Sequence, residues 1–279
     1  MKKYLKLRNV AATVACLAVM SVPFTASGQV CSIGSTNYNT VEAAISAVTS
    51  GAASATTILM LQDYQVNNGA YINNKKIVFA LNGHNLTFYN STTNNNGRAL
   101  DLDGGSSISY TGTGTLKANS TGGGVALKVY NSTVALTYVS ASNNNYAIEA
   151  SDEGYVTVNG GLNGTNAVVV NTNAGGINAH NGGYVTIYGK VTTVSTSLHA
   201  GVDGSGSKHS TIDVWGDVSS STGIGAQTDN SAIITVVGTI SASSYYVQVG
   251  SQYKTILQTT CHLPSPAIVC TLTAIVTCL

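Results

Sequence analysis

The chain has 279 residues, enough for one or two compact domains or one repeat array. Only 8% of them are charged, far below the usual quarter, and the formal net charge is +1. Nothing in that balance suggests a nucleic-acid partner. With 43% hydrophobic residues in periodic order, the scarcity of charge does not signal disorder. Valine, isoleucine and threonine are abundant and favour strands over helices.

Residues 1–28 read as a signal peptide. A basic start (Lys2, Lys3, Lys6, Arg8) precedes the apolar run "AATVACLAVMSV", and small residues at Ala26 and Gly28 suit cleavage after Gly28. The run is short for a bilayer span, so no membrane span is expected once the signal is removed. Cleavage leaves 8 Lys plus Arg against 11 Asp plus Glu, a net charge of about −3.

Residues 29–55 read as an N-terminal cap. "NTVEAAISAV" predicts a short helix with Asn39 as N-cap, Glu42 three residues later, and Val41, Ala44, Ile45 and Val48 on one face. Residues 56–258 read as stacked coils. "TTILMLQDYQV" and "KKIVFALNGHNLTFY" predict strands, with a turn at Asn82 and Gly83. Beyond them one core recurs: apolar, polar, apolar, any, Gly, any, apolar. It appears as Val156, Val158, Gly160, Leu162; Val185, Ile187, Gly189, Val191; Ile212, Val214, Gly216, Val218; and Ile234, Val236, Gly238, Ile240. A preceding strand begins at Leu100, Leu127, Ile148, Ile177, Val202, Ile224 and Val247, so each unit holds two or three strands. One unit cannot bury its inward side chains. Stacking units about 4.8 Å apart closes a continuous core, with glycine at the crowded corners.

The segment "NYNTVEAAISAV … TTILMLQDYQV … KKIVFALNGHNLTF", roughly residues 38–90, resembles the opening of bacterial secreted right-handed β-helix proteins of the pectate-lyase-like superfamily. The resemblance implies an all-β chain: a single-stranded right-handed parallel β-helix, or solenoid, with a short N-terminal capping helix, on an exported bacterial protein. Members include polysaccharide lyases, glycosidases, adhesins and uncharacterised surface proteins, so fold alone does not select a function.

Equivalent outward positions form rows along the solenoid. One row reads Asp101, Lys128, Glu149, Asn178, Asp203, Gly225, Gln248, and the next contains Asp103, Tyr130, Ser151 and His180. Asp101, Lys128 and Glu149, with Arg98 nearby, are the weak candidates for lyase or hydrolase chemistry. Their alternating sign equally suits a ladder of opposite charges. A pectate-lyase site wants an Arg or Lys base near several calcium-binding Asp, and Arg98 with Asp101 and Asp103 is the nearest imitation. His180, His199, His209 and His262 lack metal spacing and read as solvated turn residues. No cofactor or metal is expected. On the second strand, Thr157, Thr186, Asp213 and Thr235 form one outward row, and Asn159, Tyr188, Trp215 and Val237 the next. Stacked Tyr188 and Trp215 beside Thr186 and Thr157 form a candidate platform for sugar rings.

Residues 259–279 form an apolar tail with Cys261, Cys270 and Cys278. The expectation is a secreted or cell-surface structural, adhesin-like β-helix without catalysis, with glycans or host and cell-surface components as partners. The alternatives are a carbohydrate-binding module, or a polysaccharide lyase or hydrolase using the acidic row.

Overall fold

The computed structural model describes residues 28–142, 145–160, 167–201, 208–229, 232–249, 252–254 and 270–273. The expected signal peptide up to residue 27 and most of the tail lie outside the described residues. The chain is a parallel β-helix of eight described coils, and each coil places one strand in each of three long sheets. The expectation of two or three strands per unit therefore resolves to three. Sheet A begins its coils with Thr56–Met60 and Lys76–Ala80 and continues to Ile233–Val236. Sheet B runs from Tyr64–Val66 to Ile240–Ala242, and sheet C from Ala70–Asn73 to Tyr245–Val249. Coil neighbours pair in parallel, as in Val156 to Val185 to Ile212 to Ile234.

Alternation along each strand produces the core. In Tyr184–Ile187, Val185 and Ile187 are buried while Tyr184 is exposed and Thr186 half-buried. Ile187, Val214 and Val236 stack in register under sheet A. Burial of each such side chain contributes about 1.5–3 kcal/mol. The corner glycines carry a steric role: a Cβ on Gly216 would lie 2.1 Å from the Gly189 carbonyl oxygen, and one on Gly238 would lie 2.3 Å from that of Gly216. The chain cannot turn from sheet A to sheet B this tightly with a side chain there.

The corner between sheets B and C uses an inward polar row instead. Asn90, Ser120, Ala141, Asn171, Thr193 and Ser220 occupy equivalent positions, and all but Ala141 carry a polar side chain into the interior. Their side chains satisfy carbonyls of the connecting loops. Asn90 Nδ2 donates to the Asn94 and Arg98 carbonyls at 2.7 and 2.9 Å, Ser120 Oγ to that of Gly97 at 2.6 Å, and Asn171 Nδ2 to that of Gly175 at 2.9 Å. Backbone oxygens turned inward without such donors would each cost a few kcal/mol.

At the N-terminal end, sheet A is extended by an antiparallel pair, Cys31–Ile33 and Thr36–Tyr38, that the sequence pattern did not suggest. The helix spans Val41–Ala47, with Val41, Ala44, Ile45 and the adjoining Val48 buried. Its N-cap is Thr40 and not Asn39. Thr40 has extended backbone and its hydroxyl accepts from the Ala43 N–H at 3.1 Å, whereas Asn39 stands one residue too early to reach it. Glu42, freed from a capping box, accepts from the Tyr64 hydroxyl at 2.9 Å. Burial, with that hydrogen bond second, pushes the Tyr64 phenol up to about 12. Lys75 Nζ closes the helix C-terminus on the Ile45 and Ser46 carbonyls at 2.7 and 3.1 Å. Cys31 is buried, and desolvation first and Glu42 second push its thiol up to about 11. Cys270 lies in the last strand of sheet A, nine strand spacings from Cys31, or roughly 43 Å, so the two cannot bridge.

Two coil starts differ from the expected register. Leu198 and Ala226, not Val202 and Ile224, align with Ile177. The outward row on sheet C is therefore Tyr71, Asp101, Lys128, Glu149, Asn178, His199, Gln227 and Gln248. His199 and Gln227 stand where Asp203 and Gly225 were expected. Asp203 lies outside the described residues. Both shifts are an even number of residues, so inward and outward parity survives while the identity of the outward residue changes.

Candidate functional site

Sheet C carries the charged groups, and they face one another. Asn90 holds the Arg98 carbonyl, and the Arg98 guanidinium reaches Asp101 Oδ2 at 2.7 Å within its own strand region. Asp101 is buried, so its expected role as an open outward carboxylate is corrected. Its neighbour in the row, Lys128, turns the other way and meets Glu149 Oε1 at 2.7 Å on the next coil. His180 Nε2 approaches the same oxygen at 3.8 Å. The His180 contact first, and Lys128 after it, outweigh desolvation and hold the Glu149 carboxyl down to about 2.

His180 and His199 are not solvated turn residues. They lie on the strands Ile177–His180 and Leu198–Gly201 and are half-buried. Both ring nitrogens of His199 are engaged: Nδ1 lies 3.0 Å from Asn178 Oδ1 and Nε2 lies 2.9 Å from Asp229 Oδ2. The Tyr146 ring stacks against the imidazole at 6.4 Å and 19°. A usable signal was present in the sequence. "IEAS", "INAH" and "LHAG" share apolar, polar, Ala, and they stack as Ala150, Ala179 and Ala200. His209 is exposed, and His262 lies outside the described residues.

A glycosidase acid needs a raised carboxyl pKa and a general base needs one near the working pH, whereas Glu149 is displaced downward. No group of three or more His, Cys, Asp or Glu among the described residues is placed to hold a metal ion.

Sheet A carries aromatic rings on its outer face. Tyr155 and Tyr184 stack on adjacent coils at 4.9 Å and 6°, a pair the sequence reading overlooked. Tyr188 and Trp215 stand at the A-to-B corner of successive coils, with centroids 6.4 Å apart and planes at 18°. Since the strands are about 4.8 Å apart, that longer separation means the two rings are slid past each other by roughly 4 Å. Part of each face therefore stays uncovered. All four rings are exposed, Trp215 most of all at 52%. Between the two aromatic rows lie Thr157, Thr186, Asp213 and Thr235 in register, each half-buried. Among the described residues the Asp213 carboxylate meets no cation and no hydrogen-bond donor.

No protein-family model, no curated protein and no solved structure matches this chain.

Proposed function

We propose that the chain is an exported, surface-associated structural or adhesin-like β-helix that works by contact and not by catalysis. The observation that carries this reading is the pairing on sheet C. Arg98 with Asp101, Lys128 with Glu149, and His199 with Asp229 consume one another across or within coils. The basic, apolar, small-residue order of residues 1–28 supports export. The segment around residues 38–90 supports kinship with secreted right-handed β-helix proteins of the pectate-lyase-like type. The exposed aromatic face of sheet A supplies the contact surface, which favours glycan binding over hydrolysis as the second reading.

The test is turnover. The mature protein incubated with pectin or alginate, with and without calcium, is expected to release neither reducing ends nor unsaturated products. Cleavage that disappears in Asp101→Ala or Lys128→Ala would overturn the non-catalytic reading. Intact-mass measurement of protein recovered outside the cytoplasm is expected to place the mature N-terminus after residue 28. Protein retained with residues 1–28 attached would refute export through this signal.

A further inference from the structure

In a ladder of stacked rings, the faces between neighbours are already covered. What a ligand can use is the last face of the stack and whatever lies beside it. The Tyr155–Tyr184 stack ends at Tyr184, because the next residue in the row is Thr211, which is small. The outer face of Tyr184 therefore looks onto a step with Thr211 as its floor and Ile233, on the following coil, as its far side. Two residues along that strand is Asp213, and two further is Trp215, so the rings of Tyr184 and Trp215 bound a step roughly 13 Å long. That length exceeds a single sugar ring and suits a short chain of them.

The electrostatics of the step select the ligand. Asp213 is its one charged floor residue, and its carboxylate is unpartnered among the described residues. Lys208, the cation near Tyr155, is bound by Glu153 and also faces Asp152. Among the described residues, Asp152, Glu153 and Asp213 against Lys208 leave the surroundings with two more negative than positive formal charges. A polyuronate would be repelled, while the hydroxyl or acetamido N–H groups of an uncharged sugar would donate to Asp213 as its apolar ring face lies on an aromatic ring.

Resting on the contact reading above, we infer that Tyr184, Thr211, Asp213 and Trp215 form a binding step for an uncharged hexose or N-acetylhexosamine chain, and that it discriminates against polyuronates. Trp215 is the chain's single tryptophan among 15 tyrosines, so fluorescence excited at the red edge, where tyrosine does not absorb, reports on this step. Titration with cellohexaose and chitohexaose is expected to shift or quench the emission with at least one of them, and hexagalacturonate is expected to leave it unchanged. Tyr184→Ala is expected to weaken binding on the order of tenfold. Asp213→Asn should weaken it less, and Tyr138→Ala, on sheet B, should leave it unaltered. Trp215→Ala, read by calorimetry, should lose binding while the variant stays folded with only the small stability loss expected from one stacked ring, and Trp215→Phe should restore part of the binding. The inference is overturned if neither neutral oligosaccharide binds, if hexagalacturonate binds as tightly, or if affinity survives Tyr184→Ala. Such a result together with a blank turnover assay would remove this ligand class and leave the contact reading standing.

Discussion

Sheets A and C are built from the same coils, yet they use their outer faces in opposite ways. Sheet C brings titratable side chains together and pairs them, within a coil at Asp101 and across coils at Glu149 and Asp229, so that each meets a basic side chain. Sheet A places rings and threonines in register and leaves Asp213 unpaired. The difference follows from stacking. A parallel β-helix repeats every outward position at about 4.8 Å, so a charge is either balanced by its neighbour in the row or isolated among neutral ones. Balanced rows hold coils together, whereas neutral rows leave their surface available to something else.

The largest expected effect lies beneath sheet A. Ile187→Asp would bury a carboxylate between Val158 and Val214 with no partner, and should cost several kcal/mol and prevent folding. Circular dichroism and limited proteolysis check it. A folded variant with an unchanged melting temperature would break the assignment of inward and outward faces on which the comparison depends.

A smaller effect is expected on sheet C and is legible in pH. The Glu149 carboxyl is lowered from 4.5 to about 2 in the folded chain. Its stabilisation is therefore fully present above about pH 4.5 and is lost as pH falls through about 2. A drop of that size corresponds to at most about 3 kcal/mol, less what solvent screening removes from this part-exposed pair. Urea midpoints of the parent and of Glu149→Gln should differ near neutrality and converge between pH 4.5 and 2. A constant difference across that window would show that the row does not gain stability from this ion pair.

The smallest effect is expected at the exposed rings. Tyr155→Ala removes one partner of the outer stack and should lower stability by about 0.5–1.5 kcal/mol. Thermal melts at neutral pH suffice to measure it. A loss as large as that in Glu149→Gln would mean that the rings of sheet A are cohesive like the charges of sheet C, which would dissolve the contrast.

Much of this architecture was legible as pattern. Period-two alternation marked Val185, Ile187, Val214 and Val236 as inward, and the recurring glycine marked the A-to-B corner. The helix face of Val41, Ala44, Ile45 and Val48 followed from its spacing. The cap did not, because Asn39 and Thr40 are both competent N-caps and only the backbone angles distinguish them. The buried polar row of Asn90, Ser120, Asn171, Thr193 and Ser220 was also missed, since its role is to meet carbonyls of loops whose paths no local pattern encodes.

The sequence by itself determined that the chain stacks strands, which apolar side chains those strands bury, and that Tyr188 and Trp215 share an outer row. These are consequences of period and parity, which each coil carries locally. The register of the last coils on sheet C, at Leu198 and Ala226, was decided by the tertiary structure. Coils of unequal length can slide by two or four residues without exposing a single core side chain, so parity places no penalty on the wrong choice. That freedom decides whether His199 or Asp203 stands beside Asn178, and hence that His199 meets Asp229 while Asp213 is left facing an open step.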